Sequence, residues 1–147
     1  MVIKKLFSVF ALAILVCTGL SPRSVHSHAA QVATDGQSDA VLRRAFKNRT
    51  SNIQVEGSGT DVKVLPDDTK GSRQQRFILR LRSGQTLLIT HNTDLAPRLS
   101  SIRKGDVVEF YGEYEWSAKG GVIHWTHLDP AGRHVAGWLK HKGQIYH

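Results

Sequence analysis

The sequence has very little sulfur. It contains one cysteine, Cys17, and one methionine among 147 residues. Cys17 lies within the apolar run near the start of the chain, so a chain that loses this run has no thiol. A disulfide framework, a thiolate metal site and a cysteine nucleophile are then excluded. A lipid anchor on Cys17 is the alternative, but Val16 stands where the lipid-attachment pattern has a small residue.

Long hydrophobic runs are absent after the first twenty residues. Lys4 and Lys5 precede an apolar run over residues 6–20, and the small residues "SHAA" follow at 27–30. This order is typical of a secretory signal peptide, here with cleavage after Ala29. The run is shorter than the about 20 apolar residues of a transmembrane helix. We therefore expect no transmembrane segment in the mature chain and a periplasmic or secreted protein.

Positive charge is in moderate excess, with 20 Lys and Arg against 12 Asp and Glu and a net charge of +8. Loss of Lys4, Lys5 and Arg23 with the signal peptide lowers the net charge to +5. A basic surface favours polyanionic partners, whereas interspersed acids are typical of an ordinary solvated surface. A polyanion and a glycan are therefore kept as alternative partners, and the oligomeric state stays open.

From Asn52 onward, apolar residues alternate with a period of two, which is typical of β-strands. The first predicted strand is long and is bent at Gly57 and Gly59, where the alternation shifts by one residue. The other predicted strands cover residues 76–82, 85–91, 107–116 and 122–129, and residues 133–147 form either a short helix or a hairpin.

This pattern resembles the oligonucleotide/oligosaccharide-binding fold, or OB-fold. The predicted fold class is all-β, with a small five-stranded OB-like barrel and a short N-terminal helix after a cleaved signal peptide. The predicted segments are a signal peptide at 1–29, a flexible leader with a short amphipathic helix from Ser38 at 30–50, and the barrel domain at 51–147.

Three of the eight histidines lie in "VIHWTHLDPAGRH", residues 122–134. Alternate side chains of a strand share a face, so His124 is expected on the face opposite His127. The Pro-Ala-Gly turn is expected to fold His134 back over the strand end. The set predicted to bind a divalent metal is therefore His127, Asp129 and His134. The ordinary alternative is a turn capped by the Asp129 carboxylate.

A second set of residues is predicted to contact a ligand. His91 ends the third strand, which runs parallel to the fifth in an OB-type barrel and places His91 at the same rim. Tyr111 and Trp125 offer rings for stacking, although such rings more commonly pack across strands. Arg133 offers a positive charge.

The sequence thus predicts a binding module for an anionic or polyhydroxylated ligand, contacted by His91, Tyr111, Trp125 and Arg133. The alternative is a metal-dependent hydrolase, such as a phosphodiesterase, in which an ion at residues 127–134 activates water. Whether the protein is an enzyme stays open. Glu113 and Glu115 share a face of the fourth strand, which is typical of a solvated edge and, alternatively, of carboxylates flanking a glycosidic bond.

Four segments are similar to an uncharacterised family of small exported bacterial proteins, known as a domain of unknown function. They are "GTDVKVLPDDTKGSRQQRFILRL", "HNTDLAPR", "KGDVVEFYGEYEW" and "GGVIHWTHLDPAGRHVAGWLKHKG". The similarity covers residues 50–145. It implies a bacterial, extracytoplasmic single domain, and it implies no activity, cofactor or catalytic residue.

Overall fold

The computed structural model describes the backbone of residues 26–147 and the side chains of residues 35–147. Most of the predicted signal peptide, residues 1–25, lies outside the described residues. The described part is mostly β and contains one helix and seven strands: α1 (His26–Asn48), β1 (Ile53–Asp68), β2 (Gln74–Arg80), β3 (Thr86–Asn92), β4 (Val107–Glu115), β5 (Val122–His124), β6 (Trp138–His141) and β7 (Gln144–Tyr146). In residues 26–147, no helix combines the length and apolar character needed to cross a bilayer.

The strand pairings close on themselves through β1. Residues 53–60 of β1 pair antiparallel with β4, and residues 60–68 pair antiparallel with β2. β2 pairs antiparallel with β3, and β3 pairs in parallel with β5, as predicted. The antiparallel pairing of β5 with β4 completes a ring of five strands.

The predicted bend in the first strand is present, but its predicted position is wrong. Val62 is skipped in the pairing with β2, between Asp61 and Lys63. An extra residue of this kind bends a strand and increases its twist. Gly57 and Gly59 pair regularly with β4 instead. They are needed for packing, because a Cβ on either would lie 2.9 Å from a core side-chain atom.

The interior of the ring is filled by alternate side chains of its strands. Buried as predicted are Phe77, Leu79, Leu81, Val108, Phe110 and Tyr114. Trp116, also predicted to face inward, is partly buried and packs against this core. Full burial of a large apolar side chain contributes roughly 1.5–3 kcal/mol, so the alternating pattern determines which face of each strand turns inward.

α1 packs against the core and is tied to the strands by polar contacts. Its Leu42 and Ala45 side chains are buried in the core cluster. The buried Asp39 carboxylate accepts a hydrogen bond from the Ser83 amide at 2.7 Å, next to the turn between β2 and β3. The Trp116 indole donates to the Phe46 carbonyl at 3.1 Å, near the C-terminal end of the helix.

Within the described residues the helix spans His26–Asn48, so the predicted start at Ser38 is wrong. Residues 30–37, predicted to form a leader, are helical, and Ser38 lies within the helix. The segment before Ser38 is rich in alanine and has no proline. Alanine has the highest helix propensity, which outweighs the small and polar character that suggested a leader.

The C-terminal residues form a hairpin, one of the two predicted alternatives. β6 pairs with residues 108–111 of β4, and β7 pairs with β6. Lys142 and Gly143 connect them with φ values of 50° and 81°. Two consecutive residues with positive φ are typical of a type I′ hairpin turn. The described chain therefore has seven strands and not the predicted five.

The loop between β4 and β5 provides a test of this packing. Gly121 has φ +119°, and a Cβ there would lie 2.0 Å from the Tyr114 ring. Gly71 also has positive φ (+79°) but has open space around it. We expect Gly71→Ala to lower the free energy of unfolding by about 1–2 kcal/mol through backbone strain. We expect Gly121→Ala to lower the free energy of unfolding by about 1–3 kcal/mol more than Gly71→Ala does, because its Cβ overpacks the core. Urea denaturation measures both losses. Equal losses in the two variants would contradict this packing.

Candidate functional site

The candidate site lies where β5 ends. β5 stops at His124 because the next residue, Trp125, has φ 53°, and a positive φ is uncommon outside glycine. The predicted strand over residues 122–129 is therefore wrong beyond residue 124. The chain then crosses residues 125–137 and rejoins the same edge of β4 as β6. Within this crossing, His134 contacts Glu113 of β4.

Asp129 shapes the turn within this crossing. Its Oδ1 accepts the Ala131 amide at 3.0 Å, and its Oδ2 accepts the amides of Arg133 at 2.8 Å and His134 at 3.0 Å. These backbone hydrogen bonds hold the pKa of the Asp129 carboxyl below its ordinary value. The carboxylate thus has the capping role that was the ordinary alternative, and it faces its own turn.

The turn folds His134 back over the end of β5, as predicted. The His134 ring stacks on Trp125 with centroids 4.1 Å apart and planes 8° apart. Its Nε2 lies 2.7 Å from Glu113 Oε2, and its Nδ1 lies 2.9 Å from the Val135 carbonyl oxygen. Both neighbours are acceptors, so the imidazolium, with two N–H donors, matches them. Burial opposes the charge, but the hydrogen bond to Glu113 leads the effects that raise the pKa of His134 above its ordinary value.

His91 is a structural histidine in this fold. Its side chain is fully buried at the end of β3. Nε2 lies 3.0 Å from the Pro97 carbonyl oxygen, and Nδ1 lies 2.9 Å from the Thr126 hydroxyl. Burial lowers the pKa of His91. The neutral ring donates a hydrogen bond from Nε2 to the Pro97 carbonyl oxygen, and its Nδ1 accepts one from the Thr126 hydroxyl. Neither nitrogen is left for a ligand.

The remaining predicted residues differ in burial and do not share one site. His127 is buried, and its Nδ1 donates to the Leu128 carbonyl oxygen at 2.7 Å. Tyr111 is partly buried, with its ring 6.2 Å from that of Trp138. Arg133 is exposed in the turn. The structure therefore brings Trp125, His127 and His134 together, but it does not turn Asp129 toward the two imidazoles.

A groove of about 360 Å³ opens beside the end of β5. One side is formed by β2, β3 and the segment after β3, and the other by β5 and its continuation. Among the side chains that the structure describes, no Lys, Arg, Asp or Glu lines it. The lining residues are Gln74, Thr90, Asn92, Leu95, His124, Trp125 and His127.

A second cluster lies on the neighbouring face of β4. Glu113 pairs in register with His124 of β5, and Glu115 lies two residues further along β4. His124 Nε2 is 3.5 Å from Glu113 Oε1 and 3.8 Å from Glu115 Oε1. One ligand atom from each of these three residues lies within 4.8 Å of the others, a spacing that could hold a metal ion.

Sequence reasoning missed this cluster. It set His124 apart because His127 was expected on the other face, and it interpreted Glu113 and Glu115 as a solvated edge. The signal that could have found it is hairpin register: Glu115 pairs with Val122, so Glu113 pairs with His124. That pairing places a histidine opposite one of two carboxylates that are separated by a single residue.

The raised pKa of His134 makes the stability pH dependent. Its contribution is complete below about pH 6.5, the ordinary pKa of histidine, and is lost as pH rises through the raised pKa. We expect the free energy of unfolding of the wild type to exceed that of His134→Gln by more at pH 6 than at pH 8.5. Urea denaturation measures this difference. His147→Gln, which removes an exposed imidazole at the chain end, is the control. A wild-type advantage that grows with pH would contradict the raised pKa.

Comparison with known proteins gives a family without an assigned activity. Residues 24–147 match the model of the family described as "Protein of unknown function (DUF3465)". No curated protein matches the chain. The resemblance to a domain of unknown function, inferred above for residues 50–145, is thereby confirmed. The chain belongs to this family of proteins of unknown function.

Proposed function

We propose that this protein is an exported binding module that holds a neutral polyhydroxylated ligand, such as a glycan, in the groove beside β5. In this proposal, residues 1–29 are a cleaved signal peptide, the mature protein is periplasmic or secreted, and the ring of five strands is an OB-like barrel. The observation that carries the proposal is the groove lining, which is polar and aromatic and, among residues 35–147, contains no Lys, Arg, Asp or Glu.

The chemistry of the lining favours hydroxyl groups as the ligand. Carboxamides both donate and accept hydrogen bonds, as sugar hydroxyls do. Gln74 and Asn92 supply carboxamides from one wall, and Trp125 supplies an aromatic surface on the other. Ligand sites commonly combine apolar and aromatic walls with a few polar groups that fix orientation. The groove has this composition.

The position of the groove supports the same proposal. In OB-type barrels, the face of strands 2 and 3 and the adjoining loops bind oligonucleotides and oligosaccharides. Gln74 begins β2, Thr90 and Asn92 lie at the end of β3, and the opposite wall follows β5. Of the two ligand classes predicted from sequence, the polyhydroxylated one is favoured because Arg133 is outside the groove lining.

The hydrolase alternative receives less support from the geometry. It requires His127, Asp129 and His134 to direct free ligand atoms at one ion. Asp129 accepts three backbone amides within its turn. Both ring nitrogens of His134 face acceptor oxygens. Of this set, only His127 lines the groove.

The binding proposal is tested by affinity for neutral oligosaccharides, with heparin and DNA as polyanionic probes. The double variant Gln74→Ala and Thr90→Val removes two polar groups of the groove. Each hydrogen bond contributes about 0.5–1.5 kcal/mol, so we expect the Kd for a bound oligosaccharide to rise on the order of tenfold. Isothermal titration calorimetry measures the change.

Two control variants test whether the loss of affinity comes from the groove. Gln144 is exposed on β7, away from the groove, so we expect Gln144→Ala to leave the affinity unchanged. We also expect Arg133→Ala to leave it unchanged. Binding of heparin or DNA that is lost in Arg133→Ala, with no binding of neutral oligosaccharides, would overturn the proposal in favour of a polyanion site.

A further inference from the structure

We propose that Glu113, Glu115 and His124 form a binding site for a borderline divalent cation of the Zn²⁺ or Mn²⁺ class. The site lies on the face of β4 and β5 next to the groove and uses none of the residues predicted from sequence to hold a metal. It does not depend on the proposed function, because its ligands are defined by their own geometry.

The spacing of the three ligand atoms suits a metal ion. Ligand atoms about 2.1 Å from Zn²⁺ in tetrahedral geometry lie about 3.4 Å from one another. His124 Nε2 is 3.5 Å from Glu113 Oε1 and 3.8 Å from Glu115 Oε1. All three atoms lie within 4.8 Å of one another. Two paired strands fix their backbones, since Glu113 and His124 are register partners.

The His124 imidazole has an unsatisfied nitrogen at the centre of the cluster. Its Nε2 is buried and has no hydrogen-bond partner in the described part of the chain. The other oxygen of Glu113 lies 2.7 Å from His134 Nε2. The same carboxylate thus holds one imidazole at hydrogen-bond distance and leaves the nitrogen of the other without a hydrogen-bond partner among the described residues.

Glu113 is also oriented as a metal-binding carboxylate commonly is. Hydrogen bonds from neighbouring groups fix the direction of ligating side chains and tune the site. The His134 ring holds Glu113 Oε2, which leaves Oε1 facing His124. Stacking on Trp125 in turn holds the His134 ring in place. His134 is therefore a positioning residue for this site.

The ligand set indicates the class of cation. Ca²⁺ and Mg²⁺ prefer sites made of oxygen atoms, whereas one imidazole with two carboxylates suits zinc, manganese and related ions. The Glu115 side chain is 51% exposed, so water can complete the coordination. His124 also lines the groove, which places a bound ion at the edge of the proposed ligand site.

Calorimetry on the full chain, purified without a histidine tag and treated with EDTA, tests the site. We expect ZnCl₂ to bind with a stoichiometry of one per chain and to raise the Tm, and CaCl₂ and MgCl₂ to bind at least tenfold more weakly. We expect Glu115→Gln and His124→Gln each to weaken Zn²⁺ binding at least tenfold. Because the Glu115 side chain is half-exposed, Glu115→Gln is expected to fold. Glu109→Gln is the matched control, because Glu109 is on the same strand and pairs with Lys140.

Three results would overturn the proposal. The first is no saturable Zn²⁺ binding by the wild type. The second is Zn²⁺ binding that Glu115→Gln leaves unchanged. The third is Zn²⁺ binding that is lost in His127→Gln and retained in Glu115→Gln, which would place the ion at the set predicted from sequence. Loss of oligosaccharide binding in the groove variant is measured separately, so the two proposals fail independently.

Discussion

The edge of β4 that faces away from β1 is divided between two short strands, and the candidate site depends on that division. β5 occupies residues 113–115 of this edge, and β6 occupies residues 108–111. Gly112 lies at the changeover, where a Cβ would be 2.6 Å from the His124 carbonyl oxygen. A Cβ on Gly137, where the chain returns, would be 1.9 Å from the Trp125 carbonyl oxygen. The crossing is therefore too tight for side chains at these two positions.

This crossing concentrates polar groups over one point of the sheet. The chain leaves the edge of β4 where β5 ends at His124, and it returns to that edge past His134. The two imidazoles therefore approach opposite oxygens of the Glu113 carboxylate. Asp129 keeps the returning segment turned inward through its three backbone hydrogen bonds. On the other side of the strand end, Trp125 and His127 face the groove. The groove and the carboxylate cluster are thus neighbours that share His124.

The fold was largely predictable because alternation of apolar residues reflects which face of a strand is buried. The long first strand, the β2–β3 hairpin and the buried residues of β4 follow from that pattern, whereas the parallel pairing of β3 with β5 was expected from the resemblance to the OB-fold. The end of β5 was not predictable, because Trp125 has a positive φ that its residue type does not favour. Val62 was missed for a related reason, since a skipped residue has no signature in composition.

The site was less predictable than the fold. Parity along a continuous strand placed His127 and Asp129 on one face, and the predicted turn added His134 to them. The early end of β5 invalidated that parity. The Pro-Ala-Gly turn did return His134 to the strand end, but its partner is Glu113. His91 could be located at the end of β3, but its burial against Thr126 and Pro97 depends on the loop after β3. The sequence shows where the histidines stand, whereas the lowered pKa of His91 and the raised pKa of His134 depend on burial and hydrogen bonds in the folded chain.

The most direct test of this account is a long-range ¹H–¹⁵N NMR spectrum of the histidine side chains at pH 6.5. The account predicts that His91 is neutral with its proton on Nε2, and that His134 is mainly the doubly protonated imidazolium. At the same pH, an imidazolium at His91 together with a neutral ring at His134 would contradict it, because the crossing from β5 to β6 would then not hold these side chains as described.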